Sequence, residues 1–114
     1  MDKKREEQFE TIKAAKAEVM EWSQKNGIEL FQVEFIVPFV VTDFSLVVWF
    51  FYKTDVLVLT YEENGISDQL KSQFLNILTE LNYSDKYINQ VSFEFDSDEN
   101  VQKNYNGSYF YRLR

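Results

Sequence analysis

The apolar positions of this 114-residue chain repeat with two different periods. Phe9, Ile12, Val19, Met20 and Trp22 fall on one helical stripe, with Ala14, Ala15 and Ala17 between them, while Glu6, Glu7, Glu10 and Glu18 occupy mostly other faces. Asn26-Gly27 is a stop, because glycine takes the left-handed cap without strain. The spacing predicts a first helix over residues 4–25. From Phe31 the period falls to two: Phe31, Val33, Phe35, Val37, Phe39 and Val41 alternate with Gln32 and Glu34, which is a strand pattern. Pro38 cannot donate to a ladder, so it places an edge or a bulge there. Thr42-Asp43 and Thr54-Asp55 read as tight turns, and between them residues 44–53 form a second strand. Residues 56–62 read as a third, completing an antiparallel meander.

After Glu62-Glu63-Asn64-Gly65 the helical period returns. Ser67 is the expected cap and Asp68 suits the positive end of the helix dipole. Leu70, Phe74, Ile77, Leu78 and Leu81 make one stripe, which predicts a second helix ending near Leu81. Residues 82–90 read as a loop holding one helical turn at 85–88. Val91, Phe93 and Phe95 alternate with Ser92, Glu94 and Asp96 as a fourth strand, and residues 108–112 read as a fifth. Asn106-Gly107 is a hairpin signal that would fold residues 101–105 back onto 108–112. The order helix, three-strand meander, helix, two strands predicts a single α+β domain over residues 1–114: a two-layer sandwich with an antiparallel sheet of about five strands and both helices on one face.

The second strand breaks its neighbours' alternation. Residues 46–52, "LVVWFFY", are apolar or aromatic throughout. Leu46, Val48, Phe50 and Tyr52 point one way and suit a place beneath the helices. Val47, Trp49 and Phe51 point the other way and need a cover of their own. That cover is either the chain's own loop or late hairpin, or a second copy or protein partner, since contiguous exposed apolar patches are rare on monomers.

Composition and charge narrow the function. The chain carries eleven Phe, seven Tyr and two Trp, enough aromatic surface to supply both a core and an interface. Its net charge is −7. Residues 1–25 are balanced, but residues 28–99 hold thirteen acids against only Lys53, Lys71 and Lys86. Such a field disfavours nucleic acid and anionic membranes and favours a basic protein partner. There is no Cys and no His, which removes thiolate ligands, disulfides and the commonest general base. The charged opening residues have no apolar stretch behind them, so a cytoplasmic protein without a signal peptide is expected. Asp96, Asp98 and Asn100 share the spacing of the first calcium-loop ligands, but Val101 stands where that loop wants glycine and Gly107 where it wants glutamate. The stretch reads as a solvated acidic turn, so neither a metal nor a cofactor is expected, and the chain reads as a non-enzyme. The acids and tyrosines that cluster late in the chain mark a partner surface formed by Glu94, Asp96, Asp98, Glu99, Tyr105 and Tyr109, with Asp96, Asp98 and Glu99 in a loop away from the core. The outward face of the second strand, Val47, Trp49 and Phe51, is the alternative interface and a possible site of homodimerisation.

The stretch "VSFEFDSDENVQKNYNGSYFYRLR" and the "VVWFFYK" strand resemble the small acidic immunity proteins of bacterial polymorphic-toxin and contact-dependent inhibition systems. The resemblance covers about half the chain and carries no shared site. It implies a cytoplasmic protein that binds and neutralises a cognate toxin, often a basic nuclease. The expected element order is also similar to that of class I type III secretion chaperones, which are acidic homodimers that hold an effector segment. That likeness lies at the level of fold alone.

Overall fold

The computed structural model describes residues 3–114; Met1 and Asp2, which open the charged leading stretch, lie outside them. Helix α1 runs over Lys3–Lys25. Its buried stripe is Arg5, Gln8, Ile12, Ala15, Val19 and Ser23, a three-then-four spacing that keeps one face on the core. Gly27, with φ of 68°, ends it. Strand β1 spans Leu30–Ile36 and β2 spans Leu46–Tyr52. Helices α2 (Asp55–Glu63), α3 (Ile66–Glu80) and α4 (Asp85–Ile88) follow, then β3 over Val91–Ser97, α5 over Asp98–Asn104 and α6 over Tyr109–Arg112. Among the described residues no helix is long and apolar enough to cross a membrane.

The sheet has three strands in the order β1-β2-β3 among the described residues. β1 pairs with β2 antiparallel, with a bulge at Phe31 where the register shifts between Leu30 and Gln32. β3 pairs with β2 parallel, from Leu46 opposite Val91 to Tyr52 opposite Ser97. A parallel return needs a crossover of a dozen or more residues, and α2, α3 and α4 make it. The α+β class is as expected; the five-stranded antiparallel sheet is not. Residues 56–62 alternate like a strand but form α2, because Thr54 Oγ1 accepts the Leu57 N–H at 3.3 Å and caps a helix there. Tyr61 then reaches inward, its ring edge-on to Tyr52 at 4.8 Å and its hydroxyl accepting the Glu29 N–H at 3.1 Å.

The Asn106-Gly107 pair also has another use. Both residues have positive φ, as a hairpin would require, yet Gly107 N–H returns to the Val101 carbonyl at 2.9 Å. That is a helix C-terminal closure, so residues 101–104 belong to α5 and 109–112 to α6 rather than to paired strands. Three smaller expectations shift as well. The first strand stops at Ile36 instead of Val41, and Gly65 rather than Ser67 stands before α3. The expected loop at 96–99 is strand as far as Ser97 and helix from Asp98.

One core lies between the sheet and the helices. Ile12, Ala15 and Val19 of α1, Leu70, Phe74, Ile77 and Leu78 of α3, and Val33, Leu46, Val48, Phe50 and Tyr52 of the sheet form a single buried cluster. Phe50 is its centre: it stacks on Phe93 at 5.8 Å and Phe95 at 5.5 Å along β3, and meets Phe74 edge-on at 5.9 Å. Each such side chain contributes about 1.5–3 kcal/mol by leaving water. Two polar groups enter this layer with partners. Tyr52 Oη shares a 2.7 Å hydrogen bond with Ser67 Oγ, and Gln8 Nε2 donates to Tyr83 Oη at 3.0 Å.

The segment 37–45 between β1 and β2 is held from below. Arg5, almost wholly buried, donates to the carbonyls of Val40 at 2.7 Å and Asp43 at 2.8 Å, and lies over the Phe44 ring. Phe44 stacks on Tyr87 at 4.4 Å, and Asp43 N–H closes a turn onto Val40.

Ser67→Ala leaves the buried Tyr52 hydroxyl without its partner, and an unsatisfied buried hydroxyl costs about 1–3 kcal/mol. Urea unfolding of the variant against the parent should show that loss, with the slope of the transition unchanged; a midpoint shift of zero would mean that water replaces Ser67.

Candidate protein interface

The second face of the sheet carries Gln32, Glu34 and Ile36 from β1, Val47, Trp49 and Phe51 from β2, and Ser92, Glu94 and Asp96 from β3, aligned by register. The chain itself covers one end of it. Phe51 is fully buried although it lies outside the main core cluster, and so is Val101 of α5. Tyr109 of α6 meets Phe51 edge-on at 4.7 Å and donates to Asp98 Oδ1 at 2.6 Å. Arg112 pairs with Asp96 through Nε and lies over the Trp49 ring at 4.5 Å, with Tyr105 on its other flank at 5.3 Å. The cover is therefore a clasp: one guanidinium joins the β3 carboxylate to the β2 indole. Trp49 Nε1 is buried beneath it with no hydrogen-bond partner among the described residues.

The two surfaces expected from sequence are thus the two sides of one contact. Asp96, Asp98 and Tyr109 hold the C-terminal segment onto Trp49 and Phe51, so they are structural before they are anything else. Asp96 also accepts from Asn100 Nδ2 at 2.9 Å. Its side chain is 13% exposed, which corrects the expectation of a solvated loop acid. Tyr105 is half-buried under Arg112, and Glu94 stands exposed on β3 opposite Trp49. Val47 is half-buried and Ile36 is exposed at the end that the clasp does not reach. Among the described residues, no group of three or more acidic side chains converges to hold a metal ion.

Glu99 belongs elsewhere. Its Oε1 accepts the Asp55 N–H at 2.8 Å, while Ser97 Oγ donates to Asp55 Oδ1 and accepts the Asn100 N–H. This network joins the N-termini of α2 and α5 and sets their acids side by side. α2 is apolar on both sides: Leu57, Val58 and Tyr61 pack inward, whereas Val56 and Leu59 are 69% and 63% exposed. Asp55, Glu62 and Glu63 stand exposed around that pair, and the helix carries no base. Val56 and Leu59 thus set two large apolar side chains among polar ones on the solvent side of α2. Sequence reasoning missed Val56 and Leu59 because a strand over 56–62 already assigned both of its faces to the sheet; the signal was the Thr54-Asp55 cap. The cleft between α1 and the α3–α4 turn, about 260 Å³, is lined by Lys4, Glu7, Gln8, Tyr83 and Tyr87 among others, with Glu7 its one carboxylate.

Burial pushes the Tyr109 hydroxyl above the usual tyrosine range, and its bond to Asp98 and the charges of Asp98, Glu34 and Asp96 push it further. Burial does the same to Tyr52. The protonated forms are the native ones, so the stability they contribute is complete below the ordinary tyrosine pKa of about 10 and falls as pH rises above it, where the unfolded chain ionises first. Tyr109→Phe should flatten that alkaline decline in a pH series of thermal unfolding. Asp96→Asn removes a charge-assisted bond and leaves Arg112 without its carboxylate, at a cost of about 1–3 kcal/mol. Denaturant titration should show this loss together with a shift in tryptophan emission; an unchanged midpoint would mean that the clasp holds through stacking alone.

Comparison of the chain with protein-family models, with curated proteins and with solved structures finds no match in any of the three.

Proposed function

We propose that this protein is a binding module for a basic protein, and that it acts by occupancy rather than by catalysis. The observation that carries this reading is the outer face of α2, where Val56 and Leu59 are exposed inside a rim of Asp55, Glu62 and Glu63, with Glu99 bonded alongside. An apolar centre within a charged rim is the ordinary anatomy of a protein contact, and the rim residues that α2 itself supplies are all acidic. Carboxylates so placed attract arginines and lysines and raise the association rate, an effect that salt screens. The same acids repel phosphates, which sets nucleic acid and anionic lipid aside as partners.

In its narrower form the reading is an immunity protein of the cytoplasm, which holds a cognate bacterial toxin inactive. It rests on the resemblance of the "VVWFFYK" strand and the C-terminal stretch, together with the acidity such an inhibitor needs against a basic target. The secretion-chaperone alternative rests on the order helix, three strands, helix, two strands, and α2 stands where the third strand of that order is expected, so the immunity reading is the one put forward. Glu94 and Tyr105, at the margin of the clasp, form the second place where a partner would touch.

Leu59→Lys with Glu63→Lys inverts the α2 surface without touching the core, so the unfolding midpoint should stay within about 0.5 kcal/mol. The variant should lose the basic protein that the parent captures from native extract at low salt, with affinity for the purified partner down about tenfold or more. On the immunity reading, it should also fail to protect cells from the toxin that the parent neutralises. Capture unchanged by the inversion but lost with Glu94→Lys and Tyr105→Ala would move the contact to the clasp margin. Capture of nothing basic by the parent would remove the reading.

A further inference from the structure

We propose that the braced segment between β1 and β2 is a self-association device, in which Phe39 of one copy seats in the hollow beside the same segment of a second copy. Phe39 is wholly exposed, and Val40 and Val41 after it are 62% and 49% exposed. Three such residues in a row on a slack loop would fold back onto the protein. Here the backbone directly after Phe39 is braced, because Arg5 holds the Val40 and Asp43 carbonyls from below and the Val40–Asp43 turn is closed by its own hydrogen bond. Ser45 N–H also donates to Asp43 Oδ1 at 3.0 Å. The aromatic side chain is thus held out by a fixed backbone, which lowers the ordering cost of inserting it into a partner.

Next to this finger lies a hollow of about 600 Å³ lined by Lys3, Lys4, Glu7, Val41, Thr42 and Phe44. The hollow is an open depression, and Val41 and Phe44 give its lining an apolar share against which a phenyl ring can lie. Finger and hollow side by side on one surface are what a two-fold contact requires, since each copy offers to the other what it receives. Charge selects the occupant. Lys3, Lys4 and Glu7 line the hollow from the α1 side, and the exposed Asp43 stands in the loop between the lining residues Thr42 and Phe44. A mixed patch of this kind complements its own image. The α2 face does not, because its acids would meet acids. A lipid surface fits less well, since Glu7 and Asp43 would be carried into the headgroups. The contact is small, so association should be weak and concentration-dependent rather than obligate.

Sedimentation equilibrium of the whole chain over a concentration series should show a monomer–dimer equilibrium. Phe39→Asp should weaken it at least about tenfold, as the loss of a central aromatic anchor does. Lys3→Glu with Lys4→Glu should weaken it as well, while both variants keep the parent's unfolding midpoint because the changed side chains lie outside the core. A benzophenone side chain in place of Phe39 should cross-link into residues 3–7 and 41–44 of the second copy. A monomer at every concentration up to about 0.5 mM, or a dimer indifferent to Phe39→Asp, or cross-links confined to another surface, would each overturn the proposal. Binding of the monomer to phosphatidylcholine vesicles, lost in Phe39→Asp, would overturn it in favour of a lipid surface. None of these outcomes bears on α2, whose partner is captured or lost independently.

Discussion

A central strand with no wet face has to be covered twice. β2 is apolar from Leu46 to Tyr52, and the rest of the chain is arranged around that constraint. On one side α1 and α3 close over Val48, Phe50 and Tyr52. On the other, Phe51 and Trp49 are roofed by α5 and α6 through the guanidinium of Arg112 and the ring of Tyr109. The first cover is an ordinary apolar layer. The second is mainly polar chemistry laid over an apolar floor, because α6 is a four-residue helix with too few large apolar groups of its own, and two of them, Phe110 and Tyr111, point outward. Arginine suits that role: its flat cation stacks on an indole while its donors reach a carboxylate.

The legible parts of the fold were those whose pattern has one interpretation. The stripes of α1 and α3, the alternation of β1 and β3 and the all-apolar β2 all form as their periods require. α2 and the C-terminal segment were illegible for a shared reason: a short apolar stretch satisfies both periods, and a helix cap or a tertiary contact decides between them. For α2 the partners are the Thr54 cap and the Tyr61–Tyr52 contact. For α5 and α6 they are the Ser97 and Ser108 caps. The candidate site was half legible. Acids and tyrosines late in the chain do converge on Trp49 and Phe51, but sequence cannot distinguish a carboxylate waiting for a partner's arginine from one already holding the chain's own. Arg112, sixteen residues from Asp96, makes that difference.

Arg5 and Gln8 extend the same lesson to the other end of the chain. They sit on the buried stripe of α1, where a charged residue and an amide would ordinarily weaken a core. Here they finish hydrogen bonds for backbone that has left the sheet. Arg5 accepts the task for the turn after β1, and Gln8 does so for the Phe44 carbonyl and the Tyr83 hydroxyl. The polar top of α1 is thus what allows the chain to wander between β1 and β2 without leaving carbonyls unpaired.

The bulge at Phe31 acts on a different scale. With only three strands, β1 leaves one whole side of its backbone unpaired, the kind of edge on which foreign strands grow. The register slip beside Leu30 breaks the run of donors near one end, Pro38 follows soon after the other, and the regular edge is reduced to Gln32–Ile36 with Glu34 in its middle. At this edge an aromatic-rich chain is thereby less open to strand-by-strand growth, because the regular run is short and carries a carboxylate.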